Sequence, residues 1–522
     1  MGGEARYQGL YPSRHCPDVG SATSAAFGGE TQRLTFFVED GFRCGDGDEH
    51  WRLSCDHRLE TSRNLRGVRT RFVILGGGPA GNNAATHAAR MGAEVTVVER
   101  DVVGGAAHLW DCIPSKTMIA TGGAISFSNR LDGMGLESQS SEVDVSGLTN
   151  RIEAIKDKMR DNNTDILESQ NVRILRGNGR FTGPNSLEVV GVDGTQTVEF
   201  DAALISTGSK PRIPEWCFPD GDRILTTRHC YPPKTFPESV TVIGSGVTGV
   251  EFVHMFSSFG AKVTLVVSRQ QVLPGKDPEV AAVLEHEFMN RGVKLVMGAR
   301  AVAIERSEAG DSVIVRCDDG RVIESSHAVL AIGSVPNTAD IGLETTGVEI
   351  NQWGYVDINQ HCVTNVNHIY AAGDISGKLP LSSVASIQGR KVAEHVMGLH
   401  TRNHRHLDYD KAASAIFTEP EIADVGLAEA EAFASGRKIR VTKVPFSSTA
   451  KAMINSDTRG FVKIISDPNT GEILGGSIVG RHAAELISVI AVAVTAGLTV
   501  SDLVESILVH PALSEALAEA AE

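Results

Sequence analysis

Twice in this chain an apolar strand runs into a Gly-x-Gly-x-x-Gly turn, a helix and a second apolar strand. The first copy is Arg71-Phe72-Val73-Ile74-Leu75, then Gly76-Gly77-Gly78-Pro79-Ala80-Gly81, a small-residue helix through Arg90, and Glu94–Val98 ending at Glu99. The second is Val240-Thr241-Val242-Ile243, then Gly244-Ser245-Gly246-Val247-Thr248-Gly249, a helix, and Lys262–Val267. A glycine turn alone is a weak signal, but the complete strand, turn, helix, strand order is a strong one. In such a unit the first glycine (Gly76, Gly244) permits the tight turn. The second (Gly78, Gly246) lets a pyrophosphate approach the backbone, and the third (Gly81, Gly249) allows close helix–strand packing. The helix N-terminus adds amide donors and a positive dipole end.

The chain therefore predicts an α/β fold with two Rossmann-like dinucleotide-binding domains, whose two dinucleotides face one another for hydride transfer. The units differ at one informative position. Glu99 lies 23 residues after Gly76 and is placed to accept hydrogen bonds from a ribose diol. The same count from Gly244 reaches Val267, followed by Ser268 and Arg269. Without the carboxylate a 2′-phosphate meets no like charge, and Arg269 offers it a partner. The second site is thus expected to accept NADPH, with NADH still open. Arg269 as a plain surface charge is the alternative.

The formal charge of −15 argues against nucleic acid or an anionic membrane as the main partner. Eight scattered cysteines favour a reducing, cytoplasmic compartment. The longest apolar run, Leu486 to Val500, is too short for a membrane span and reads as a buried helix. Residues 1–67 show no sustained periodicity. They read as a disordered tail or as a misassigned extension, with Val68 the true start. Cys16, Cys44, Cys55, His15 and His57 there match no zinc spacing, so no metal is expected.

Between the two units lies Gly104-Gly105-Ala106-Ala107-His108-Leu109-Trp110-Asp111-Cys112-Ile113-Pro114-Ser115-Lys116. From Arg71 onward the motif order resembles the flavoprotein pyridine nucleotide-disulfide oxidoreductases, the lipoamide dehydrogenase-like family. Leu204-Ile205-Ser206-Thr207-Gly208-Ser209 is similar to the family's ATG motif, and Ala331–Thr338, with Gly333, to its second such motif. Ile369-Tyr370-Ala371-Ala372-Gly373-Asp374 is similar to the second FAD motif, and Phe417–Gly426 to the opening of the interface domain. Two stretches depart from the common pattern: Gly333-Ser334-Val335-Pro336-Asn337 and Leu381-Ser382-Ser383-Val384-Ala385.

The resemblance implies an extension (1–67), an FAD domain in two segments (68–214 and 336–405), an NAD(P) domain (215–335), and a C-terminal α+β dimerisation domain (406–522). It implies FAD and NAD(P)H as cofactors and a homodimer. The FAD site would gather Gly76, Gly78, Gly81, Glu99, Lys116, Thr207, Gly208, Gly373 and Asp374. The nicotinamide site would gather Gly244, Gly246, Gly249, Ser268, Arg269 and Gly333. Where the family carries two cysteines, this chain has Ala107 and Cys112. A dithiol cycle needs two sulfurs close enough to bridge. The chain is accordingly most similar to the NAD(P)H–quinone reductase branch that lacks the redox disulfide.

On this resemblance Lys116 lies near flavin N5 and pairs with Glu251. Cys112 lies against the flavin, either as a thiolate favoured by Lys116 and a helix N-terminus or as an inherited inert thiol. In the family the histidine, its ring oriented by the glutamate, reaches the partner subunit's active site as base and acid for the first thiol. With that thiol missing, His510 with Glu515 is expected instead to deliver a proton to a quinone oxygen, or else is a vestigial or packing residue. Pro511 would sit in the first turn of a helix. The expected activity is transfer of hydride from NAD(P)H through FAD to a quinone or similar small acceptor. Soluble transhydrogenation, a lipoamide dehydrogenase-like disulfide reductase and a flavin-bearing redox sensor are the alternatives.

Overall fold

The computed structural model describes residues 69–137, 142–192, 194–399 and 407–522. The readings placed on residues 1–67 and on Val68 lie outside the described residues. Two five-stranded sheets are built alike. In the first, strand Arg71–Leu75 lies between Glu94–Glu99 and Ala202–Ile205, with Ile369–Ala371 and Arg173–Arg176 at the edges, all parallel. In the second, Ser239–Ile243 lies between Lys262–Val267 and His327–Leu330, flanked by Lys294–Met297 and Ile224–Thr226. Central parallel strands are covered on both faces, which is why both read as unbroken apolar runs.

Alternation along the strand sorts the two faces. Phe72 and Ile74 pack into a cluster with Ala80, Ala84, Ala85 and Ala88 of helix Pro79–Arg90. Val73 and Leu75 face the other way, toward Phe181 and Leu187 of a three-stranded antiparallel ribbon spanning 178–199. The alanine-rich helix has a further reason for its small residues. It packs on helix Ser382–Val396 so closely that a Cβ on Gly389 would fall 2.0 Å from the Ala80 carbonyl oxygen.

The C-terminal part is a five-stranded antiparallel sheet in the order 414–416, 421–426, 473–480, 461–466, 440–445. Helix Ala483–Ala496 covers it through Ile487, Ile490 and Val494. The architecture is thus α/β, with two Rossmann-like units and a C-terminal α+β domain. The apolar run from 486 departs from expectation. Only one face of its helix is buried, while Val489 and Val492 stand exposed, the latter by 64%. Hydrophobicity reports that a surface is buried against something, without saying that the cover comes from the same chain. Among the described residues no helix is long and apolar enough to cross a membrane.

Candidate functional site

Both glycine turns use their three glycines for different reasons. Gly76 and Gly244 have φ of +107° and +110°, and a Cβ on either would strike a backbone carbonyl, that of Ser206 or Ala331, at 2.4 and 2.3 Å. Gly81 and Gly249 press onto the carbonyls of Gly76 and Gly244, at 2.0 and 1.8 Å from a virtual Cβ. The middle glycines are different. Gly78 and Gly246 both have φ of −74°, open to any residue. A Cβ on Gly246 would meet nothing within 4 Å, and one on Gly78 only Gly105 Cα at 3.7 Å. Neither the fold nor its packing requires glycine there. Asn82 Oδ1, in the first turn of the first helix, is buried without a hydrogen-bond partner.

Glu99 ends its strand with both carboxylate oxygens held: Oε2 accepts from Gly77 N at 2.7 Å and Oε1 from Asp101 N at 2.8 Å. Burial pushes its carboxyl up, and the Asp101 and Gly77 amides oppose. At the second turn Ser268 and Arg269 are exposed beyond the end of strand Lys262–Val267. Arg269, Gln270, Gln271, Pro274 and Gly275 line an open cleft of about 530 Å³. This is the carboxyl end of the sheet, where open α/β sheets bind their ligands.

Lys116 and Glu251 meet. Helix Ile113–Ser128 carries the lysine and helix Val247–Ser258 the glutamate, and Nζ lies 2.7 Å from Oε2. Glu251 Oε1 accepts from the backbone N–H of Phe417 at 3.0 Å, so both oxygens are used. The ammonium also lies 4.8 Å from the centre of the Phe417 ring. Three distant stretches of chain thus fix one cation.

Cys112 differs from expectation. Residues Ala107–Cys112 form a π-helical turn that runs straight into helix Ile113–Ser128, and Cys112 itself has helical φ and ψ. The helix start, with its free amides and positive dipole end, therefore lies before Cys112 rather than at it. Burial pushes the thiol up. Lys116 opposes this, Asp111 adds to it, and a hydrogen bond with Ser382 lowers it. The balance of these influences lies upward, which favours the neutral-thiol alternative over the thiolate.

The 207–212, 333–337 and 373–374 stretches meet one another beside the first unit, whereas His510 does not join them. Thr207 Oγ1 donates to the Asn337 carbonyl, and Asn337 N–H to Gly208 O. Gly333 O accepts from Arg212 N. Gly373 N–H donates to Gln388 Oε1 at 2.7 Å, and Asp374 Oδ2 accepts from the Ser209 hydroxyl at 2.6 Å. His510 Nδ1 lies 2.6 Å from Glu515 Oε1, and Glu515 Oε2 accepts from Ala512 N. The His510 side chain is 73% exposed, on the C-terminal part of the chain. Pro511 is not in a first helical turn, because helix Glu515–Ala521 begins four residues later. The Glu515 carboxylate closes the intervening turn instead.

Two groups of residues were not legible in the sequence. Asp111 and Arg228 pair at 3.6 Å beside Cys112. Glu419 sits among Arg130, Arg459 and Arg291 where three segments meet. An acid between Trp110 and Cys112 was the only visible hint of the first, and nothing local marks the second.

Residues 70–389 match the pyridine nucleotide-disulphide oxidoreductase family, and residues 412–521 match its dimerisation domain. The chain belongs to the pyridine nucleotide-disulphide oxidoreductase family. It is 39% identical over 464 residues to an NAD(P)H dehydrogenase (quinone) of Mycobacterium tuberculosis, covering 87% of this chain and 93% of that one. It is 31% identical over 457 residues to the dihydrolipoyl dehydrogenase of Geobacillus stearothermophilus, covering 87% and 96%. The crystal structure of LpdA from Mycobacterium tuberculosis superposes with a TM-score of 0.82 at 39% identity, over 87% of this chain and 99% of that one. As a pyridine nucleotide-disulphide oxidoreductase the chain is an NAD(P)H-dependent flavoprotein oxidoreductase, with FAD and NAD(P)H as its cofactors. Both turns fit a dinucleotide: each has a middle glycine that neither backbone strain nor packing requires, leaving room for a phosphate to approach the backbone at the helix N-terminus.

Proposed function

We propose that this chain passes reducing equivalents from NAD(P)H to a quinone or similar small acceptor, without a redox-active disulfide. The observation that carries the reading is the single sulfur of the Gly104–Lys116 segment: Cys112 is a free thiol, and position 107 is alanine. The naming of the mycobacterial relative as an NAD(P)H dehydrogenase (quinone) supports it. FAD is assigned to Gly76, Gly78, Gly81, Glu99, Thr207, Gly208, Gly373 and Asp374. NAD(P)H is assigned to Gly244, Gly246, Gly249, Ser268, Arg269 and Gly333, with Arg269 taking a 2′-phosphate. Bound FAD supplies the two-electron relay between nicotinamide and acceptor.

The chain's own residues supply charge and protons. Lys116, held by Glu251, presents a fixed cation that favours negative charge developing beside it. Glu515 takes the Nδ1–H of His510 and thereby fixes the ring, leaving Nε2 as the atom from which a proton passes to the acceptor oxygen. The chain is assigned as a homodimer on its dimerisation domain and on the exposed apolar faces of that domain, Val492, Ile507 and Val509 among them. A cytoplasmic location accords with the free cysteines.

Purified protein is expected to reduce a benzoquinone with NADPH and to leave lipoamide unchanged. Lipoamide reduction, or thio-NAD reduction without quinone reduction, would overturn the assignment. Cys112→Ala is expected to keep most of the quinone turnover, because no step needs its sulfur; loss of turnover with FAD still bound would show otherwise. His510→Ala is expected to lower the quinone rate by about 10²-fold or more and to remove an ionisation from the pH profile of kcat. An unchanged profile would refute proton delivery by His510.

A further inference from the structure

Asp111 lies in the π-helical turn just before Cys112, and its Oδ1 is buried without a hydrogen-bond partner. Its other oxygen faces Arg228 Nε at 3.6 Å, an ion-pair distance too long for a hydrogen bond. Arg228 Nε is likewise buried and makes no hydrogen bond. The same guanidinium donates through Nη2 to the Ser209 carbonyl at 3.2 Å, and the Ser209 hydroxyl donates to Asp374 Oδ2 at 2.6 Å. One polar cluster therefore ties together four stretches: the 107–112 turn, the turn Thr227–His229, strand Ser209–Pro211 and the turn Asp374–Ser376. The last of these contains Asp374 and the strand directly follows Gly208, both assigned above to FAD, and the 107–112 turn leads to Lys116. Buried polar atoms in native proteins nearly always find partners, and two orphans side by side in such a cluster mark a place where a bound group completes them.

We propose that Asp111, backed by Arg228, is a further flavin-contacting residue whose carboxyl donates a hydrogen bond to a carbonyl or ring-nitrogen acceptor of bound FAD. This rests on the assignment of the FAD site. A carboxylate has no proton to donate, so the contact requires the acid form. Burial pushes the Asp111 carboxyl up to about 6; Arg228 opposes this and Asp374 adds to it. The other titratable groups that feel its charge are the Cys112 thiol and the Tyr231 hydroxyl, both pushed up by burial. The remaining cation near Cys112 is Lys116, which Glu251 holds.

The sign of the effect follows from linkage. An acceptor that bonds the acid form raises the pKa of Asp111 further in the complex, so FAD binding takes up a proton. The affinity for FAD is flat below pH 6 and falls as the pH rises above it, by at most about tenfold per pH unit. The test is FAD release from diluted full-length holoenzyme, followed by flavin fluorescence from pH 5 to pH 8. Wild-type protein is expected to show that fall. Asp111→Asn, whose amide donates without titrating, is expected to hold FAD with no pH dependence across the same range. Arg228→Gln removes the opposing cation and is expected to move the onset of the fall to higher pH, which keeps the test open if one variant does not fold. A flat wild-type profile, or an Asp111→Asn profile that follows the wild type, would overturn the contact. Wild-type protein that carries no FAD would instead overturn the site assignment beneath it.

Discussion

Lys116→Met is expected to slow NAD(P)H-driven bleaching of the flavin absorbance by about 10²–10³-fold, the usual loss when a preorganised charge is removed from where negative charge develops. The lysine is well held. Its ammonium bonds Glu251 Oε2 at 2.7 Å, and that carboxylate is only 10% exposed, with its other oxygen taken by the Phe417 amide. Methionine keeps the length of the side chain and removes the charge. It leaves Glu251 as a part-buried carboxylate with one backbone donor, so some loss of stability accompanies the loss of rate. Two controls separate these effects. Lys116→Arg keeps the cation and is expected to retain far more of the rate. Glu251→Gln keeps the bond from Phe417 but frees the ammonium, and is expected to fall between the two. Rapid-mixing measurements on folded, yellow protein decide the matter; a bleaching rate unchanged in Lys116→Met would remove the cation from the chemistry.

The second large effect lies just past the far end of the helix that carries Lys116, where Arg130 meets Glu419. Glu419→Ala is expected to destabilise the protein by about 3–5 kcal/mol, the range for breaking a buried ion pair. Glu419 Oε1 accepts from Arg130 and from Arg459 Nη2, the latter at 2.9 Å, while its backbone carbonyl accepts from Arg291 at 2.9 Å. Arg291 and Arg459 share Glu287, and Arg459 also pairs with Asp457. Arg291 further reaches His254 Nδ1 at 3.1 Å. Burial strongly disfavours the charge on Glu419, yet Ser126, Arg130 and Arg459 together hold its carboxyl down to about 2. A depressed carboxylate stabilises the fold above its ordinary value and loses that contribution as the pH falls. Wild-type stability is therefore expected to drop between about pH 4.5 and pH 2, with part of that drop missing in Glu419→Ala. Urea unfolding at neutral pH and at pH 3 measures both; a midpoint at neutral pH that matches wild type would show the network to be energetically idle.

The sequence carried the two nucleotide units almost whole, because each rests on contacts between near neighbours: strand, turn and helix within thirty or so residues. Lys116 and Glu251 were paired only through the family resemblance, since nothing in their own surroundings links positions 135 residues apart. Asp111 and Glu419 were out of reach for a related reason. Their properties come from burial and from charges on other segments, Arg228 and Asp374 in one case, Arg130 and Arg459 in the other. Local rules also misplaced two features. Pro511 met the rule for a first helical turn, yet the Glu515 carboxylate organises that stretch as a non-helical turn. Cys112 preceded a good helix, but a π-helical turn had already begun it. The half-exposed helix Ala483–Ala496 shows a third limit: its outward valines fit a cover that a single chain does not provide.

The first sheet has an edge strand, Ile369–Ala371, that pairs with Ala202–Ile205 although the whole second sheet lies between them in the chain. During synthesis, strands 71–75, 94–99, 173–176 and 202–205 emerge first but wait with one edge unpaired. The second sheet, drawn entirely from 224–330, is delivered complete in the meantime. Its parallel neighbour arrives only with residue 371, and Asp374 just after it. The ribosome thus releases a finished second sheet before a closed first one, and the earlier strands depend on later ones to cover an edge that would otherwise invite pairing with another chain.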